Sequence, residues 1–331
     1  GGDNWSNLFY WNEDMRRILI ICTFLFALCG CEKSNQPIRT IDGLTIQNFP
    51  VIDGSDSTTP LRQILAARLL GLTYVWERRP FADGDIFQAI ISPNGCTNEQ
   101  WRTLNIEKLL ENNTHASFIN LIDGKVDLII TARGISRDEK LYLQDAGVQV
   151  IQKPIALDAF IFIVNPQNPV TSLSIKQIQD IYTGYITNWE EVGGKDCAIT
   201  AYTRNRNSGS QEKMETLVMD GLEMIEGTEM SVGQTMMSPY YQIGSDISGI
   251  GYTPFYYYDT IVKNKETRAL GVNGIIPSSE TIKNRAYPFC TEIYAVVRAD
   301  LDKDDLTYVL FEYLTSESGT RIIAESGYMT L

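Results

Sequence analysis

The sequence predicts an α/β protein, and three observations carry that prediction. Short apolar runs alternate with helical stretches along nearly the whole chain, the pattern of helices packed on a sheet. No internal repeat and no low-complexity linker interrupts the alternation. Four polar, Gly- or Thr-rich loops, at 53–59, 112–115, 131–136 and 204–210, fall between strands and helices. Ligands of α/β sheets collect where such loops converge, at the carboxyl ends of strands.

The elements follow in order. Phe49-Pro50-Val51-Ile52 is a strand that runs into Asp53-Gly54-Ser55-Asp56-Ser57-Thr58-Thr59-Pro60, and Leu61 to Leu69 is a helix. Thr114 opens a second helix toward Ile122. Val126 to Ile130 is a compact strand, followed by the loop Thr131-Ala132-Arg133-Gly134-Ile135-Ser136 and an acidic helix start. Val148 to Val164 holds two strand-like runs around Lys153-Pro154, and Asn165-Pro166 ends them. Ser174 to Tyr182 is helical, and Asn188 to Gly194 forms a turn. Ala198 to Tyr202 is a strand, and Gln211 to Met219 is a helix. Gly249 to Tyr252 and Pro288 to Arg298 are strands, and helices close the chain from Asp304 to Glu325.

The unit around residue 204 carries the most chemistry. Between its strand and its helix stand Arg204-Asn205-Arg206-Asn207-Ser208-Gly209-Ser210. The first N–H groups of a helix lack intrahelical partners, and the positive dipole end favours negative charge. Ser208 and Ser210 add hydroxyl donors, Gly209 lets backbone approach a ligand, and Arg204 offers a charge-assisted fork. The arrangement suits a small tetrahedral oxyanion. The same residues also describe an ordinary N-capped helix beside a surface arginine.

The amino terminus points to an export route. Two arginines after Met15 precede an apolar run from Ile18 to Ala27, which ends in Leu28-Cys29-Gly30-Cys31. A charged n-region, an h-region and a small-residue cleavage site make residues 15–31 a signal peptide. The run is shorter than the roughly 20 apolar residues of a membrane span. Its ending resembles a lipobox, which makes Cys31 the lipidated first residue of the mature protein. Residues 1–14 read as upstream read-through, and 32–40 as a polar tether to a membrane surface.

Charge and composition narrow the partners. The formal net charge of -13 argues against nucleic acid and anionic membranes, while a local anion site remains open. After processing, Cys96, Cys197 and Cys290 remain beside Cys31, so at most one intrachain disulfide can form. Their spacing matches no metal motif, and the single histidine, His115, argues against histidine-based metal sites and catalysis. No cofactor and no metal is expected.

Several segments together resemble the substrate-binding lipoproteins of ABC-type phosphate importers. They are 53–61, Gly124-Lys125-Val126-Asp127-Leu128, Asn165-Pro166-Gln167-Asn168-Pro169-Val170, Asp180 to Trp189, and the 204–211 loop. Gly249 to Tyr252 and Tyr287-Pro288 fit as well. The resemblance implies a two-lobed periplasmic-binding-protein type II fold with a two-segment hinge. Lobe I then covers 41–155 plus 288–331, lobe II covers 156–287, and the crossings lie near Lys153-Pro154 and Tyr287-Pro288.

By resemblance the ligand contacts fall on Thr58, Thr59 and Thr114 from the first lobe and Arg204, Ser208, Gly209 and Ser210 from the second. The family's aspartate that accepts a proton from bound phosphate aligns with Ala132, leaving Asp56 as a stand-in or as an exposed turn residue. Arg133 is either a second anion clamp or a salt-bridging loop residue. The implied function is binding of inorganic phosphate by a monomer that delivers it to ABC permease transmembrane subunits. The alternatives are the same clamp holding sulfate, molybdate or an organic phosphate, or a sensor or adhesin; a phosphate-ester hydrolase lacks a general base. His115 reads as a hydrogen-bonding loop residue, Trp189 as a packing anchor, and Tyr252 with Phe255 to Tyr258 as packing and hinge surface.

Overall fold

Fifteen residues from Val150 to Val164 form one uninterrupted strand, and the main sheet is built on its two halves. The computed structural model describes residues 37–81, 84–205, 208–226, 228–229, 236–262 and 266–331. The signal-peptide, lipobox and read-through readings lie outside these residues. Among them, no helix is long and apolar enough to cross a membrane.

The strands are β1 (Ile52–Gly54), β2 (Tyr74–Phe81), β3 (Gly84–Ile91), β4 (Leu128–Thr131), β5 (Val150–Val164), β6 (Ser172–Leu173), β7 (Thr200–Thr203), β8 (Thr228–Glu229), β9 (Gly249–Pro254), β10 (Arg268–Val272) and β11 (Cys290–Arg298). The helices are α1 (Thr59–Leu69), α2 (Asn98–Arg102), α3 (Thr114–Ile122), α4 (Arg137–Ala146), α5 (Ile175–Tyr182), α6 (Gly209–Lys213), α7 (Ser238–Ser245), α8 (Ser279–Lys283), α9 (Leu306–Tyr313) and α10 (Glu317–Glu325). A π-helical stretch, Met214–Met219, continues α6, so the helix expected over 211–219 is present in two geometries.

The sheet order is β1-β4-β11-β5-β9-β7-β8, with β10 paired to β5 and β6 paired to β10. From Val150 to Ala159, β5 pairs antiparallel with β11; from Phe160 to Val164 it pairs with β9. The partner therefore changes between Ala159 and Phe160. The two runs expected around Lys153-Pro154 are one strand. Its register with β11 shifts at Ile293/Tyr294, opposite Pro154, and an irregularity of this kind accommodates a residue with no N–H to donate.

Parallel pairing sets the direction of the loops. β1 runs parallel to β4, and β7 runs parallel to β9. The loops after β1 and β4 thus leave one edge of the first half together, and the loop after β7 leaves the second half. Each half has its own packed interior. Phe118, Leu121, Val126, Ile129 and Val296 form a buried cluster in the first. Phe160, Phe162, Tyr182, Tyr252 and Phe289 stack edge-on and tilted in the second, with centroids 5.3 to 6.4 Å apart.

A β2–β3 hairpin, paired from Tyr74↔Ile91 to Phe81↔Gly84, is a separate two-stranded sheet. Trp189 is buried and its indole donates to Ser248 O at 2.8 Å. The aromatic run after β9 is packing: Phe255, Tyr256 and Tyr257 are buried, and Tyr256 stacks on Tyr328 at 3.6 Å.

Candidate functional site

Four loops meet around a cavity of about 120 Å³. Ser55, Asp56 and Ser57 come from the turn after β1, Asn113 and Thr114 from the start of α3, and Ala132 and Arg133 from the turn after β4. Opposite them stand Arg204, Asn205, Ser208, Gly209, Ser210 and Lys213. The walls approach closely: a Cβ added to Gly209 would lie 3.0 Å from Thr114 Oγ1. Glycine is needed there for contact between the walls, not for an unusual backbone angle.

On the first wall the hydroxyls form a chain. Ser55 Oγ and Thr114 Oγ1 share a hydrogen bond of 2.5 Å, and Ala132 N donates to Ser55 Oγ at 3.0 Å. The strand leading into Ser55 is pinned from behind, because a Cβ on Gly54 would stand 2.1 Å from Ile130 O. Asn113 caps α3 by accepting from Ala116 N at 2.9 Å. Helix α3 therefore presents Thr114 at its first turn, with the dipole's positive end toward the cavity.

Thr58 and Thr59 lie off this wall. Thr58 is fully buried, and its hydroxyl donates to Ser55 O and Ile130 O, both at 2.8 Å, which ties β1 to β4. Thr59 Oγ1 accepts from Arg62 Nη2 at 2.8 Å. The structure thus places both hydroxyls in the scaffold of the turn, and Ser55, Asp56 and Ser57 at the cavity. Only Asp56 of these three drew notice in the sequence; a turn of Ser-Asp-Ser before an N-terminal Pro was the available signal for the others.

The second wall is organised around Arg204. Its side chain is buried, and burial lowers its pKa, opposed by Tyr252 and Asp56. Its backbone N–H donates to Gln211 Oε1 at 3.0 Å and to Tyr252 Oη at 3.1 Å, and Tyr252 in turn donates to Gln211. Ser208 caps α6, its Oγ accepting from Ser210 N at 3.2 Å. The loop is therefore shaped by Gln211 and Tyr252, two residues that sequence inspection passes over as ordinary helix and strand positions.

Arg133 lines the cavity and makes a salt bridge, which is the second of its two expected roles. Its Nη1 and Nη2 reach Glu139 Oε2 and Oε1 at 2.8 and 2.7 Å. Glu139 is fully buried; burial raises its pKa, but the Arg133 hydrogen bonds and charge outweigh that and hold it below the usual carboxylate value. His115 Nδ1 lies 3.2 Å from Glu139 Oε1, which makes it a partner of this pair. Much of the Arg133 charge is therefore answered by Glu139, whereas Arg204 sits across the cavity from Asp56.

Asp56 is the acid of the site. It stays open to solvent in the cleft although protein surrounds it on both sides. Desolvation raises its pKa, and Arg62 and Arg204 counter part of the rise. A wall of hydroxyls, helix-start N–H groups and cations around one acid can hold a tetrahedral oxyanion that still carries a proton. Among the described residues no group of three or more His, Cys, Asp or Glu is placed to hold a metal ion. Cys96, Cys197 and Cys290 are free thiols.

This architecture, two sheet halves on a shared long strand with a polar cleft at converging loop ends, is the two-lobed type II fold of substrate-binding proteins. Residues 106–318 match the PBP superfamily domain, and the chain belongs to that periplasmic-binding-protein superfamily. The chain is 24% identical over 243 residues to a phosphate-binding protein PstS of Borreliella burgdorferi, covering 66% of this chain and 81% of the relative. It is 28% identical over 182 residues to the PstS of Bacillus subtilis, covering 54% of this chain and 57% of that protein. An ABC-type phosphate transport receptor from Vibrio cholerae superposes with a TM-score of 0.58 at 21% identity, covering 85% of this chain and all (100%) of that one.

Proposed function

We propose that this protein binds inorganic phosphate in the cleft and delivers it to the transmembrane subunits of an ABC permease. The observation that carries the reading is the convergence of Ser55 and Thr114 from one wall with Arg204, Ser208, Gly209 and Ser210 from the other on a single small cavity. Relatives named as phosphate-binding proteins support the same conclusion. The site's role is capture and release rather than turnover.

In this reading lobe I comprises 41–155 plus 288–331 and lobe II comprises 156–287. An anion that contacts both walls favours the closed arrangement, because only closure completes its hydrogen bonds. Lipidation at Cys31 tethers the monomer at the membrane surface, where the permease operates. Asp56 supplies the discrimination that Ala132 cannot. A carboxylate accepts the proton of hydrogen phosphate, whereas sulfate brings no proton and is repelled.

Calorimetric titration of ligand-free protein with phosphate, sulfate and molybdate tests the proposal. Binding of phosphate with no heat from sulfate is the expected result. Sulfate or molybdate binding in its place would keep the clamp and overturn the ligand.

A further inference from the structure

Lys213 ends α6 on the floor of the cavity, where it is 5% exposed. A lysine ammonium carries three donors and is strongly hydrated, so its burial demands acceptors. Among the described residues its Nζ reaches one acceptor, Thr291 Oγ1, at a long 3.5 Å. Asp158 on β5 exerts the attractive charge on it. Of that carboxylate, Oδ1 accepts from Tyr256 N and Ala159 N, both at 2.8 Å, and Oδ2 makes no hydrogen bond, to Lys213 or to any other described residue. Lys213 thus lines the cavity and carries an ammonium whose three donors are not all taken.

We propose that Lys213 is a second cationic ligand of the bound oxyanion, donating from the cleft floor while Arg204 donates from the loop above. The inference rests on the anion-binding reading and adds a residue to it. The two cations differ in kind. Arg204 offers a planar fork, and Lys213 offers a compact point charge that can be lost by deprotonation.

The groups facing Lys213 set when that loss occurs. Burial lowers its pKa to about 8, Asp158 opposes the shift, and Arg133 from the turn after β4 adds to it. Asp56 and Arg204 complete the charged groups on the cavity walls. In the ligand-free protein the ammonium is therefore present below pH about 8 and is lost as pH rises through that value. Inorganic phosphate is already mainly the dianion there, so a fall in affinity above this point reports the protein and not the ligand.

The test is phosphate calorimetry on wild type, Lys213→Met, Lys213→Gln and Lys213→Arg from about pH 7 to about pH 10. Loss of one charge-assisted hydrogen bond predicts roughly 10- to 100-fold weaker binding by Lys213→Met at neutral pH. The gap to wild type should close as the wild-type ammonium deprotonates. Lys213→Arg, which stays charged, should bind without the alkaline decline. Lys213→Gln serves if the methionine variant does not fold, with circular dichroism checking each. Wild-type affinity and an unchanged alkaline decline in the folded neutral variants would overturn the inference. Wild-type protein silent toward every oxyanion would instead overturn the reading beneath it.

Discussion

Asp56 is an acid whose charge the folded protein opposes, and that cost has a direction that can be measured. Its pKa is raised by desolvation, with Arg62 and Arg204 holding the rise in check. A raised carboxyl binds protons more tightly folded than unfolded. Its contribution to stability is therefore full below the ordinary carboxylate pKa and lost as pH rises through the folded value. Asp56→Asn should accordingly melt higher than wild type without ligand at neutral pH, and the difference should vanish near pH about 3. The same substitution should remove the preference for phosphate over sulfate, since an amide neither repels sulfate nor takes a phosphate proton as a carboxylate does. Calorimetry with both anions on the one variant checks this. Retained selectivity would mean that another group discriminates. Lowered stability at neutral pH would mean that the carboxylate is better solvated than its surroundings imply.

At the scale of elements, the turn after β1 is held by backbone closeness more than by its hydroxyls. Gly54 lies against β4 so tightly that an added methyl would stand 2.1 Å from Ile130 O and 2.8 Å from Thr58 Oγ1. Because the nearer obstacle is backbone, β1 must move away from β4. Gly54→Ala should lower stability by about 1–3 kcal/mol, the range for overpacking, and should weaken phosphate binding along with it. Denaturant melts would show it; an unchanged midpoint would mean that β1 shifts freely. Such strand–loop–helix units were readable from sequence because apolar strands, polar loops and helix starts differ in composition. Arg204 and Ser208 to Ser210, which line the cavity, were singled out for that reason, and Thr114 by resemblance. Thr58 and Thr59 were placed at the cavity by resemblance, but which hydroxyl of a Ser/Thr-rich turn faces outward depends on its 3-10 geometry at Asp56–Thr58. The β2–β3 hairpin went unread because Glu77, Arg78 and Arg79 obscure its apolar alternation, although Asp83-Gly84 is a hairpin signal. Lys213 carries no distinguishing local signal in the sequence. Its burial follows from the tertiary packing of α6 toward β11, which no local pattern encodes.

For the whole molecule, the decisive feature is one strand shared by two halves. β5 pairs with β11 up to Ala159 and with β9 from Phe160, so the halves are joined through the continuous backbone of one strand. The two-lobed reading in the sequence came from resemblance; the physical basis, a 15-residue strand that changes partners, depends on long-range pairing. A ligand gripped by loops from both halves then acts on the stability of the entire molecule. Binding to the folded state alone adds RT ln(1 + [L]/Kd), about 2.7 kcal/mol at a hundredfold excess of ligand over Kd. For a protein of this size that corresponds to a rise in Tm of roughly 4 °C. Scanning calorimetry with increasing phosphate should therefore show a single transition moving upward with the logarithm of concentration, while sulfate at equal ionic strength leaves it in place. Two transitions, of which phosphate moves only one, would mean that the anion is held by one half and that closure contributes nothing to its capture.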